Sequence, residues 1–186
     1  MISLTQLWLP IVGSAVVVFM ASSAIHMLIK WHNVDFKKFA NEDEVRTAIR
    51  NARAAPGQYV LPYCTDPAAM QAPDMLEKFK AGPVGFVTLR TNGAPSMTGP
   101  LGFWFLLNLG ISMVAGYLAS RSLPAGASFA AVFRVVATVS FLAYVGGSVQ
   151  SGIWMGKPWA SVGKDVLDAL IYAGASAAVF GWAWPN

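Results

Sequence analysis

Cysteine is nearly absent from this chain. Cys64 stands alone among 186 residues, which excludes an intramolecular disulfide and any zinc site built from several thiolates. Histidine is almost as scarce, with only His26 and His32. Charge is short as well: 12% of the residues are Asp, Glu, Lys or Arg, where a soluble domain carries about 25%. No repeat of fixed period is present. The glycine stretches at 82–85 and at Gly146-Gly147 lack the strand, lysine and hydroxyl context of a phosphate loop. Together these absences remove the enzyme classes that announce themselves by a short motif.

What the chain has in quantity is apolar sequence, 55% of its residues. It is gathered into four stretches, at 7–29, 100–119, 127–147 and 166–184. Each holds the ~20 residues needed to cross ~30 Å of hydrocarbon. The fold read from this pattern is an all-α membrane protein. It is a four-transmembrane-helix bundle with a small cytoplasmic α+β insertion between helices 1 and 2. Residues 1–32 form the first helix, 33–98 the insertion, and 99–186 helices 2–4. The first stretch has no Lys or Arg before it and is too apolar for too long to be a typical secretory signal. It is therefore read as a retained span, although Ser22-Ser23-Ala24 would pass as a cleavage site.

Positive charge sets the orientation. Lys30, Lys37, Lys38, Arg46, Arg50, Arg53, Lys78, Lys80 and Arg90 fall between the first and second stretches, and Lys157 and Lys164 between the third and fourth. Only Arg121 and Arg134 fall on the other side. The positive-inside rule then puts both termini outside and the loop 33–98 in the cytoplasm. The same rule accounts for the net charge of +4 without invoking nucleic acid. Size and compactness suggest a bacterial cytoplasmic membrane. All seven tryptophans sit at the expected span boundaries, where their amphipathic rings favour the headgroup level.

Within the insertion, Asn41 and Glu44 have the spacing of a capping box, and Pro56-Gly57 should end that helix near Ala55. Strands are expected at 58–61 and 84–90, with a helix from Pro73 through Lys80 between them; whether the strands pair is open. Asp66 before Pro67 is a good cap for a helical turn. Arg46, Arg50 and Arg53 line one helical stripe. With Lys37 and Lys38 they either contact anionic lipid headgroups or form a solvated face.

Ionisable groups inside a span are costly, so they are the first place to look for function. Asp168 lies about one turn inside the fourth stretch, on one face with Asp165. The two carboxylates make a proton or cation site, or else Lys164 simply neutralises Asp168 four residues away. Arg134 starts from the opposite side and lies too far in height to pair with Asp168; it should snorkel outward. Asn108 and Ser112 share a face and either line a cavity or pack by hydrogen bonds. His26 and His32, six residues apart, stand about 240° apart on a regular helix and cannot chelate one ion from it. No metal and no cofactor are therefore expected. Ala169, Ala173, Ala177 and Gly181 form a small-residue ridge for helix packing, within the bundle or between copies.

The expected role is a non-catalytic interaction or assembly subunit of a membrane complex, or a homo-oligomer, with lipid and other membrane subunits as partners. Two readings of other classes stand beside it. A small transporter or ligand- or metal-binding protein would bring Asn108, Ser112, Asp168 and His26 to one polar cavity. A membrane enzyme would use Cys64, activated by His32, or the Asp165/Asp168 pair.

Overall fold

The computed structural model describes residues 2–186, which divide into two units. The larger joins the chain up to Phe36 with Ser96–Asn186, and the smaller is Lys37–Pro95.

The larger unit is built from four helices: α1 (Trp8–Ala24), α4 (Thr98–Ser122), α5 (Phe129–Trp154) and α6 (Trp159–Trp182). Among the described residues three segments are long and apolar enough to cross a membrane: Trp8–Ile29, Thr98–Ser122 and Phe129–Trp154. The fourth expected span, α6, is of similar length but is not among them. Its first half carries Lys164, Asp165 and Asp168. It is also the helix with the most buried positions, packed along α5 and α1, while α4 packs on α1 and α5. Asp168 among these is buried, facing the other helices.

Small residues let these helices approach. Ala169, Ala173 and Ala177 are buried, and a Cβ on Gly181 would lie 2.6 Å from the Phe129 ring. The ridge expected from the sequence thus serves packing inside the unit. Gly116 of α4 leaves room for the Phe180 ring: a Cβ there would sit 3.1 Å from it and 3.5 Å from Ile11. Two apolar clusters result. One joins Leu7, Ile11, Ala115, Ala119, Val132, Val136, Ala177 and Phe180 near the chain termini. The other joins Val18, Ile25 and Tyr172 farther along α1.

Two elements depart from expectation. The third span does not stop at Gly147 but continues as helix to Trp154, so only 155–158 are left to join α5 to α6. Gly152 permits this tight hairpin, since a Cβ there would meet Val162 at 3.0 Å and Trp159 at 3.4 Å. The first span does not run out as a straight helix. It ends as α-helix at Ala24, makes a π turn over Ile25–Ile29, passes through a left-handed Lys30 (φ 57°), and continues as a 3-10 turn, Trp31–Asp35. The aromatic belt is also less uniform than its sequence positions imply. Trp8, Trp154, Trp159 and Trp182 are exposed, whereas Trp184 is buried and donates to the Pro124 carbonyl at 3.0 Å.

In the smaller unit, strands β1 (Gly57–Leu61) and β2 (Gly85–Leu89) do pair, antiparallel, with Tyr59 opposite Val87. Helix α3 (Pro73–Ala81) lies between them in sequence. Helix α2 (Glu42–Asn51) ends short of Ala55, and Arg53 adopts φ 51°. Asn41 and Glu44 bond each other through their side chains at 2.8 Å; the Asn41 side chain does not cap the backbone. Lys37, Lys38, Arg46, Arg50 and Arg53 are all exposed, and Arg46 pairs with Asp43 at 3.3 Å.

The packing at Gly116 is directly testable. Gly116→Leu should lower the thermal unfolding temperature of the solubilised protein, at a cost of about 1–3 kcal/mol from overpacking against Phe180. Gly110→Leu, one helix face away with open space at its Cβ position, should not.

Candidate ligand-binding site

The broken end of the first span creates the site. A π turn inserts an extra residue per turn, and such turns are frequent at functional positions. With the left-handed Lys30 it cancels the angular offset of a regular helix. His26 and His32 therefore meet, their rings stacked with centroids 4.9 Å apart and planes 28° apart. The 240° separation holds only for a regular helix, and the backbone at 25–35 is not one.

From His32 a chain of contacts ties the first span to α6. Its Nδ1 donates to Asp35 Oδ2 at 2.9 Å, and its Nε2 lies 2.9 Å from Asp168 Oδ2. Lys164 Nζ donates to Asp35 Oδ1 at 2.6 Å and to the Trp31 carbonyl at 2.8 Å, which pins the 3-10 turn. His26 Nε2 stands 3.8 Å from the same Asp168 oxygen. Lys164 thus neutralises Asp35 rather than Asp168, whose near neighbours are the two histidines. The other oxygen of Asp168, Oδ1, is buried with no hydrogen-bond partner among the described residues. Asp35, beyond the end of the first span, has its carboxyl held well below the usual range, at about 2. The Lys164 hydrogen bond is the chief cause, with His32, Ser161 and the Lys164 charge acting in the same direction and burial opposing them.

Beside this cluster lies a cavity of about 360 Å³. Its charged end holds His26, Asp168, Asp165 and Lys157. Lys157 and Ser148 both donate to Asp165, so this second carboxylate is already paired. The opposite wall is aromatic. Trp104, Tyr144 and Tyr172 stand with ring centroids 5.4–6.1 Å apart. The Trp104 indole N–H is buried without a hydrogen-bond partner among the described residues.

Of the residues expected to converge, His26 and Asp168 do. Asn108 sits one step behind the cavity, accepting from the Tyr144 hydroxyl at 2.9 Å. Ser112 is buried away from it, and its hydroxyl finds no partner among the described residues. Arg134 is exposed and donates to the carbonyl of Ala130, its own preceding turn. Cys64 belongs to the smaller unit, where its Sγ donates to the Asp66 carbonyl at 3.4 Å. Sequence reasoning gave no site role to Asp35, Lys157, Tyr144 or Tyr172, and placed Trp31 and Trp104 in an interfacial belt. Periodicity carries no mark of a π turn, and the available signal was the density of ionisable residues flanking the first and fourth stretches on one side of the bundle.

The depressed Asp35 value fixes the sign of a pH effect. A carboxyl that titrates lower when folded than its ordinary 3.8 stabilises the fold fully above that value. The contribution is lost as the pH falls toward 2. Asp35→Asn should therefore be less stable than the parent by a constant margin at pH 5–8, a margin that closes only below about pH 4. Thermal unfolding of both proteins across pH checks this; a margin that closes near neutrality would contradict the assignment.

No protein-family model matches this chain, and no curated protein or solved structure is similar to it at a significant level, so the site is interpreted from its own geometry.

Proposed function

We propose that this chain is a four-span membrane protein that binds a small amphiphilic molecule in the cavity between α4, α5 and α6. In this reading α6 is the fourth span, crossing with its charged residues turned toward the other helices. Both termini lie outside and Lys37–Pro95 lies in the cytoplasm of a bacterial cell, on the distribution of Lys and Arg. The exposed apolar faces contact lipid, and Lys37, Lys38, Arg46, Arg50 and Arg53 meet anionic headgroups.

One observation carries the ligand reading: a cavity whose charged end and aromatic wall are both preformed. Its volume of about 360 Å³ is within the range of small-molecule sites. Lys157, Asp165 and Ser148 already satisfy one another, so a ligand need not neutralise them. Its polar head would lie against His26 and Asp168. Its apolar body would lie along Trp104, Leu107, Tyr144 and Tyr172. Burial of the Ala169–Ala173–Ala177 ridge inside the bundle favours this over the assembly role, which would need a different surface.

The test is native mass spectrometry of protein extracted gently from its own membrane. A small-molecule mass should accompany single chains of the parent and be missing from Gly147→Phe. Gly147 lines the cavity and a Cβ there would meet nothing within 4 Å, so the substitution adds bulk at the cavity wall. A parent without such a mass, or a filled variant that keeps it with its helical content intact, would sink the proposal.

A further inference from the structure

We propose that His26, His32 and Asp168 bind one divalent first-row transition-metal ion, with its remaining coordination positions open to the cavity. This deepens the ligand reading, because the ion would occupy the charged end of the same cavity.

Four observations lead to it. The first is the donor set. Two imidazoles and one carboxylate present ligand atoms all within 4.8 Å of one another. With bonds of about 2.0–2.1 Å, tetrahedral ligands stand ~3.4 Å apart. The His32–Asp168 and His26–Asp168 separations of 2.9 and 3.8 Å bracket that figure. The third pair, the two imidazoles, lies within 4.8 Å, so side-chain shifts of up to roughly 1.4 Å close the shell.

The second is the support behind the shell. A histidine ligand generally donates its other ring N–H to a carboxylate, which fixes the tautomer and aims the lone pair at the metal. His32 does this through Nδ1 to Asp35 at 2.9 Å, leaving Nε2 for the ion. Asp35 is itself held by Lys164 at 2.6 Å. A metal would sit between Nε2 and the Asp168 carboxylate oxygen 2.9 Å away.

The third is the unsatisfied oxygen. Asp168 is 5% exposed and its Oδ1 has no hydrogen-bond partner among the described residues. A buried carboxylate oxygen without donors is expensive, and a cation at its partner oxygen offsets that cost. The fourth is the vacancy in the coordination shell. Three protein ligands leave at least one position, and two of the three, His26 and Asp168, line the cavity. Imidazole and carboxylate suit zinc or ferrous iron better than soft copper(I).

The experiment is titration of Co²⁺ alone into chelator-treated, full-length protein in lipid nanodiscs, followed by its visible d–d absorption. One Co²⁺ per chain is expected. His26→Asn, a change at a side chain that is 50% exposed and therefore mild for folding, should abolish saturable binding. His32→Asn should do the same. Asp35→Asn should keep the stoichiometry and weaken affinity by about 10–100-fold, as loss of a supporting hydrogen bond does. Absence of saturable binding, or equal binding by the parent and both histidine variants, would overturn the metal site. Parent chains that carry the cavity ligand yet take up no Co²⁺ would remove the metal inference alone. Stoichiometric Co²⁺ binding with no small-molecule mass would remove the ligand reading and leave the metal site standing.

Discussion

The carboxylate of Asp168 is the constraint around which the larger unit is arranged. An ionisable group in the middle of a helix bundle is tolerated only when partners are brought to it. Here they come from the far end of the chain in sequence, the turn that follows the first span. His32 reaches Asp168, Asp35 holds His32, and Lys164 of α6 holds Asp35, so the contact path leaves α6 and returns to it. Removing any one member would strand a charge on another. That interdependence makes the end of the first span part of the core rather than a frayed helix tip.

The irregular backbone at 25–35 follows from this demand. A continuous α-helix would turn His32 about 240° from His26, so the two rings could not both face Asp168. The π turn, the left-handed Lys30 and the 3-10 turn together redirect the chain, and Lys164 secures the result through the Trp31 carbonyl. Strain of this kind persists where surrounding contacts over-determine it. The remainder of the unit supplies those contacts. Glycines at 116, 152 and 181 allow close helix approach, and the apolar cluster around Phe180 holds the opposite end.

Much of the organisation was legible in the sequence because it depends on composition summed over many residues. The apolar stretches located α1, α4, α5 and α6 to within a few residues at most ends. The strand pattern located β1 and β2, and the spacing of Ala169, Ala173 and Ala177 marked a packing face that is buried. Errors arose where one local interaction outweighed the average. α5 passes through Gly146 and Gly147 because packing on α6 holds it helical, and Gly152 lets the hairpin close. Trp31 and Trp104, at expected span boundaries, are partly exposed and bury their indole N–H groups within the unit. Within the site, Asp168 and His26 stood out as ionisable or imidazole groups in apolar surroundings. Asp35 did not, because it follows the span and looks like an ordinary solvated residue.

The sequence by itself determined that this is a chain of long apolar helices with a small, charged α+β segment between the first two. Those properties are additive: length, hydropathy and turn chemistry act locally and need no knowledge of partners. Only the tertiary structure decided that His26, His32, Asp35, Lys164 and Asp168 form one cluster, and that α6 turns its polar face inward. A contact between residues more than a hundred positions apart depends on the rotation and bend of each helix. A single π turn shifts that rotation without changing composition or hydrophobic content. The fold class was therefore written in averages, whereas the site depends on a redirection of the chain at 25–35 that packing secures.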